Sequence, residues 1–330
     1  MRLRDIGEFG LIDLIKKRFP PQGEEVLVGI GDDTAVIKGE RDNYLLLTCD
    51  TLVEGVHFDL SYTPFRELGW KAMAANLSDI ASMGGLPHYA LVSLCLPPST
   101  DLTGVKELYQ GMRELGKRFK VEIVGGDTVS SPVLMISLTL TGEVEKDRLV
   151  TRSGARPGDS LLVTGSLGGS EGGLRLLKEK GPLPKGMGEI IRRHLAPMPR
   201  LKEARLLVEN LKPNAMIDIS DGLALDLSHL TTESQVGAEI WKEKIPLHPQ
   251  AEEAARILGK SPYDFALYGG EDYELLLALS SDQVQKGKEL LQRAGLTIIG
   301  QILPPDQGLV ISEGGRRSPL VARGYDHFSK

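Results

Sequence analysis

Apolar residues along this chain come in short runs, and many runs stop at an acidic residue or a glycine. Ile6, Leu11, Leu14, Ile15 and Phe19 share one side of a helical period, which predicts an amphipathic helix over residues 5–19. Val26 to Ile30 reads as a strand running into Asp32-Asp33, and Tyr44 to Thr48 as a second strand ending at Asp50. Residues 65–83, rich in Ala, Met and Leu, read as a helix with Asn76 and Asp79 on one face, stopped by Gly84-Gly85. Ala90 to Leu96 is a strand that Pro97-Pro98 end, and residues 102–119 suit a helix. Val121 to Val124 is a short buried strand leading into Gly125-Gly126-Asp127, and Leu134 to Val144 alternates as a half-covered strand does.

The pattern changes near residues 145–160, where the charge run Glu145-Lys146-Asp147-Arg148 precedes a segment rich in Gly and Arg. This predicts two domains, residues 1–148 and 149–330, and 330 residues suit about two. The second half opens with a strand (Ser160 to Thr164), a glycine-rich turn and a helix (Leu174 to Lys180). Helices near 189–195 and 200–211, a strand from Ala215 to Asp218 and a helix at 222–233 follow, and the tail from 304 reads as loop-rich. Mixed strands and helices with some adjacent strands place the chain in the α/β (mixed α+β) class.

Six segments pair the end of an apolar stretch with an acid. They are Gly31-Asp32-Asp33, Thr48-Cys49-Asp50, Leu77-Ser78-Asp79, Gly125-Gly126-Asp127-Thr128, Asp218-Ile219-Ser220-Asp221-Gly222 and Gly269-Gly270-Glu271-Asp272. Each alone is an ordinary turn or cap, and Asp221 suits the N-cap of helix 222–233. If the segments converge, their carboxylates repel unless cations lie among them. Hard cations on oxygen ligands point to magnesium, and magnesium to phosphate chemistry. Arg152, just past the junction, is a basic partner for phosphate.

Composition narrows the options. The apolar share is 41% and the net charge −6, so the chain can build a core but has no basic excess for nucleic acid. Cys49 and Cys95 form no metal or disulfide pattern. No apolar run reaches the ~20 residues of a membrane span. The N-terminus lacks a signal-peptide core, and the expectation is a cytoplasmic protein.

Three motifs point elsewhere, and none makes its case alone. The segment Gly165 to Gly173 could cradle phosphate, but Leu167 stands where a dinucleotide pattern needs Gly, and a strand-to-helix turn explains it as well. Gly259-Lys260-Ser261 ends like a P-loop, yet Ala254 replaces the leading glycine. The six histidines show no zinc-ligand spacing.

Taken as a set, the motifs resemble thiamine-monophosphate kinase. They are Gly29-Ile30-Gly31-Asp32-Asp33-Thr34-Ala35, Leu47 to Phe58, Gly69-Trp70-Lys71-Ala72 with Asn76-Leu77-Ser78-Asp79, Val124 to Thr128, Met216 to Leu223 and Tyr268 to Glu274. The resemblance runs from Glu8-Phe9-Gly10 to Gly324-Tyr325-Asp326-His327-Phe328. It implies the two-domain fold of aminoimidazole ribonucleotide synthetase-like ATP-using enzymes, with an N-terminal sheet that forms a homodimer interface. It implies a kinase of thiamine diphosphate biosynthesis, carrying the ATP γ-phosphoryl group directly to thiamine monophosphate. By the same resemblance, Asp33, Asp50, Asp79, Asp127, Asp218 and Asp221 would hold several magnesium ions. Residue 49, Thr in many members and Cys49 here, lies at a further metal-contact position that a backbone carbonyl can serve. Tyr109, Gly126, Asp127, Arg152 and Ser220 would contact ATP, and His57, Glu271 and Tyr325 the thiamine substrate. No general base is implied, because the acceptor is an ionised phosphate oxygen. The alternatives are another ATP-dependent synthetase of the superfamily or a non-catalytic magnesium–nucleotide binder. The first Cys is Cys49 and the chain ends Phe328-Ser329-Lys330, unlike the selenophosphate synthetase and hydrogenase-maturation relatives.

Overall fold

The computed structural model describes residues 2–179 and 182–328. A 3-10 turn (Leu3–Asp5) and helix α1 (Gly7–Arg18) lead into a six-stranded sheet of β1 (Val26–Val28), β2 (Ala35–Lys38), β3 (Asn43–Val53), β4 (Leu86–Leu96), β5 (Glu122–Ser130) and β6 (Met135–Glu145). Its order is β1-β2-β3-β6-β4-β5, antiparallel except for the parallel β4/β5 pair at one edge. Alternation decides its two faces. Ala90, Val92 and Leu94 of β4 and Ile136, Leu138 and Leu140 of β6 are buried under α2 (Phe65–Ser82) and α3 (Leu102–Phe119). Tyr89 and Leu91 point the other way, to an open face.

Helix α2 is buried on nearly all sides, with 14 of its 18 residues inside, so it is the axis of the molecule rather than a surface cover. It crosses α3 through glycines. A Cβ on Gly69 would stand 1.9 Å from the Leu108 carbonyl oxygen, and one on Gly111 1.8 Å from that of Arg66. Only glycine allows backbones this close.

The second half forms a sheet of β7 (Ser160–Thr164), β8 (Ala215–Asp218), β9 (Gly237–Trp241), β10 (Leu275–Leu279), β11 (Leu296–Leu303), β12 (Leu309–Glu313) and β13 (Arg316–Pro319). Its order is β13-β12-β9-β11-β7-β10-β8. Helices α4 (Gly169–Lys178), α5 (Gly188–Leu195), α6 (Leu201–Asn210), α7 (Leu223–Ser234), α8 (Ala251–Leu258), α9 (Pro262–Tyr268), α10 (Ser281–Lys286) and α11 (Lys288–Arg293) surround it. Strands β8 and β10 are buried throughout, which explains their unbroken apolar runs. One core cluster joins the halves: Leu77 and Ile80 of α2 share it with Leu207 of α6, Met216 of β8 and Leu275 of β10.

Several sequence expectations change. Strands β3 and β5 run on past Asp50 and Asp127, because both acids continue the pairing, opposite Leu138 and Ser93. Strand β2 was not anticipated. The glycine-rich segment is not all turn. Helix α4 starts at Gly169, and the Gly168 and Ser170 amides donate to the Asp272 carboxylate (2.6 and 3.0 Å), so an internal anion occupies that helix end. The expected end of this helix at Lys180 lies outside the described residues. The tail from 304 is not loop throughout, since Gly314-Gly315, both at positive φ, close the hairpin β12/β13. Asp221 does not cap α7. The Asp226 carboxylate instead accepts from the Asp221 and Gly222 amides (3.1 and 3.0 Å), leaving the Asp221 side chain free of that duty.

Gly111→Ala tests the glycine crossing. The added methyl must push α2 from α3, and the expected loss is about 1–3 kcal/mol in denaturant unfolding. An unchanged midpoint would show that the crossing relaxes freely.

Candidate functional site

The acidic residues converge on α2. Asp79 on α2, Asp218 at the end of β8 and Asp33 in the β1–β2 connection each place one carboxylate oxygen within 4.8 Å of the others. Asp50 joins them from β3, where Thr48, Asp50 and Leu52 face α2 and Cys49 and Thr51 face away. Small hydroxyl donors orient the cluster. Thr48 Oγ1 donates to Asp79 Oδ2, and Ser78 Oγ to Asp218 Oδ2 at 2.6 Å. Arg152 sits at the edge, its Nε donating to Asp33 Oδ1 at 3.0 Å and its backbone N–H to Asp32 Oδ2 at 3.2 Å.

Burial and mutual repulsion push Asp32, Asp50, Asp79, Asp218 and Asp221 toward the protonated form. Asp79 and Asp218 are held well above the ordinary carboxylate range, by burial first and by neighbouring carboxylates next. Burial raises Asp50 to about 6, and burial with nearby acids raises Asp32 and Asp221 to about 7. Two oxygens make the fit to a hard cation specific. Asp33 Oδ2 and Asp50 Oδ2 are buried with no hydrogen-bond partner among the described residues. An all-oxygen donor set with orphaned carboxylate oxygens suits magnesium.

A cavity of about 620 Å³ runs from Asp50 and Asp221 to His57, Glu271 and Tyr325. His57 Nδ1 accepts the Val53 amide at 3.0 Å, and burial lowers the ring's proton affinity. The neutral ring therefore carries its proton on Nε2, 3.4 Å from His327 Nε2. Glu271 lies on a segment laced to β8's extension by the Glu271 amide to the Ser220 carbonyl (2.7 Å) and the Tyr273 amide to the Ile219 carbonyl (2.9 Å). Its φ of +63° is unusual for a non-glycine residue. Tyr325 is tied to Asp221 through its backbone N–H (3.0 Å).

Of the residues singled out in the sequence, Asp33, Asp50, Asp79, Asp218 and Asp221 come together around the cluster and cavity, as do Arg152, Ser220, His57, Glu271 and Tyr325. Three lie apart from both the cluster and the cavity: Gly126 and Asp127 on exposed edge strand β5, and half-buried Tyr109 on α3. Cys49 lines the cavity but aims Sγ at Ser137 Oγ (3.5 Å) on the open face. The sequence reading missed Lys71, His194 and His327. Lys71 left a signal, a lone cation inside the apolar run Gly69 to Ala75.

Comparison with known proteins places the chain in a family. Two domain models, AIR synthase related protein N-terminal domain and C-terminal domain, match residues 31–144 and 156–311. The fold and site thus define an AIR synthase-related protein. The thiamine-monophosphate kinase of Aquifex aeolicus (strain VF5) is 44% identical over 99% of this chain and 100% of its own. That of Bacillus subtilis (strain 168) is 37% identical over 97% and 99%. The solved structure of AaThiL complexed with AMPPCP and TMP superposes with a TM-score of 0.87, at 39% identity over 99% of each chain. The chain belongs to the thiamine-monophosphate kinase family. Among the described residues, no helix is long and apolar enough to cross a membrane.

The cluster sets a pH dependence. Acids with raised folded-state pKa keep the folded form protonated where the unfolded chain has already released its protons. Without divalent cations, stability therefore falls as pH rises from about 4 through about 7. Melting in chelator across that window should show the fall, and Asp79→Asn should flatten it. A variant as steep as the wild type would refute the repulsion account.

Proposed function

We propose that this chain transfers the γ-phosphoryl group of ATP to thiamine monophosphate, giving thiamine diphosphate and ADP. The observation that carries the reading is one continuous cavity with carboxylates at one end and His57, Glu271 and Tyr325 at the other. Asp33, Asp50, Asp79, Asp127, Asp218 and Asp221 would hold magnesium, with residue 49 offering its backbone carbonyl because Sγ faces away. Bound magnesium would neutralise charge on the phosphates as the group moves. Tyr109, Gly126, Asp127, Arg152 and Ser220 would hold the nucleotide. Arg152 now spends its guanidinium on Asp33, at the place where a phosphate would compete for it. At the acceptor end the His57 Nε2 proton is available to donate, Glu271 can accept, and Tyr325 offers an aromatic face to a heterocycle. An acceptor phosphate oxygen forms the new P–O bond as the bond from the γ-phosphorus to its bridging oxygen breaks. The acceptor oxygen is already ionised, so no side chain takes a proton from it.

The same reading makes the protein a cytoplasmic homodimer, divided into domains 1–148 and 149–330. Its support is the open face of the first sheet, where Tyr89, Leu91, Val124 and Val129 are 47–57% exposed. Exposed apolar side chains on an open sheet face favour self-association.

Three measurements test these proposals. Incubation with MgATP and thiamine monophosphate should yield ADP and thiamine diphosphate in equal amounts. ATP hydrolysis without thiamine diphosphate would refute the reading. Asp50→Asn should cut turnover about 100-fold or more while the protein still folds. Sedimentation should give twice the 35.9 kDa chain mass, and Leu91→Asp should shift it to the monomer. A wild type that sediments as a monomer removes the dimer proposal.

A further inference from the structure

Lys71 is 1% exposed at its side chain, in the middle of helix α2, and a lysine ammonium in that position needs a reason. Its Nζ donates to Glu271 Oε2 at 2.8 Å. His194 of α5 packs against the pair, with Nδ1 3.3 Å from Glu271 Oε2 and 3.1 Å from Ser170 Oγ. The contact spans the two halves of the chain, from a helix of the first sheet to the segment after α9. The Glu271 carboxylate keeps 23% of its side-chain surface open, on the cavity wall, so the lysine holds one side of the carboxylate and leaves the other free.

Seven residues along the same helix is Ser78, whose Oγ holds Asp218. Seven residues make about two turns, so both side chains leave one face of α2 with Cα atoms about 10 Å apart. One rigid helix thus grips the acidic cluster at one point and the acceptor carboxylate at another.

The geometry points to Lys71 as a positioning residue for the acceptor: it seats the Glu271 carboxylate at the cavity wall, at a distance from the acidic cluster that helix α2 sets. This rests on the kinase reading above. A cation that served the fold alone would have no reason to pair with a partly open carboxylate in the cavity, since the buried Glu274 close by is already held by Arg193 and Arg200.

The test is steady-state kinetics on the full chain with each substrate varied in turn. Lys71→Met should raise KM for thiamine monophosphate about tenfold or more and leave KM for ATP within about twofold. An unchanged KM for thiamine monophosphate, or an equal rise in both constants, overturns the proposal. Lys71→Met leaves a buried carboxylate without its cation and can fail to fold. The pair Glu271→Gln and Lys71→Met/Glu271→Gln covers that case. If Lys71 acts through Glu271, losing the lysine in the Glu271→Gln background adds no more than about twofold to KM for thiamine monophosphate. A further large rise there overturns the proposal. A wild type that forms no thiamine diphosphate overturns the kinase reading itself, and the inference with it. Wild-type turnover beside an insensitive Lys71→Met overturns the inference alone.

Discussion

Like charge held in a buried place is the constraint around which this molecule is arranged. Asp33, Asp79 and Asp218 bring carboxylate oxygens within 4.8 Å of one another, with Asp50 beside them. In water such groups would move apart, and in an interior their attraction to solvent is lost as well. The cluster persists because three of these acids stand on three different rigid elements. Asp50 is on β3, Asp79 on α2, and Asp218 ends β8. None can retreat without moving a strand or helix out of the core.

That core gives the cluster its stiffness. Helix α2 contacts the first sheet, α3, α6 and β8, and its apolar residues share one cluster with the second half of the chain. The glycine crossing with α3 fixes its height over the sheet. Ser78 and Asp79 are then aimed from a helix that has nowhere to turn, and Ser78 reaches Asp218 in the other half. The site is therefore a property of how the two halves dock, and neither sheet contains it alone.

Asp33, Asp50, Asp79, Asp218 and Asp221 were legible as a group because an acidic residue after an apolar run is visible in one dimension, whereas Asp127, expected with them, lies apart on exposed strand β5. The residues that make the grouping work were less so. Asp50 and Asp127 read as loop residues, since a strand that continues past a carboxylate looks in sequence like a strand that stops there; only pairing with Leu138 and Ser93 shows otherwise. Asp221 read as a helix cap, and Asp226 took that role from inside the first turn, a choice that depends on backbone geometry. The phosphate-like helix end at Gly168–Ser170 was open in the sequence, and its anion is Asp272, about a hundred residues away. Lys71 looked like one charge in an apolar helix, with its partner 200 residues distant.

The carboxylates divide by whether the protein supplies its own cation. Glu274 has Arg193 and Arg200, Glu145 has Arg205, and Glu271 has Lys71. These are complete as folded. Among the described residues, Asp50, Asp79, Asp218 and Asp221 have no basic side chain forming an ion pair with them, and burial pushes all four toward the protonated form. Asp33 lies between the two classes, with Arg152 on Oδ1 and nothing on Oδ2. A protein that needed these acids only for structure would gain by pairing or replacing them, because an uncompensated buried charge costs several kcal/mol. Leaving them short of cations makes sense where the missing charge arrives with the substrate. Glu271, already paired, is suited to the opposite task of presenting a fixed oxygen to an organic acceptor. The two ends of the cavity thus differ in which side of the charge balance the fold leaves open.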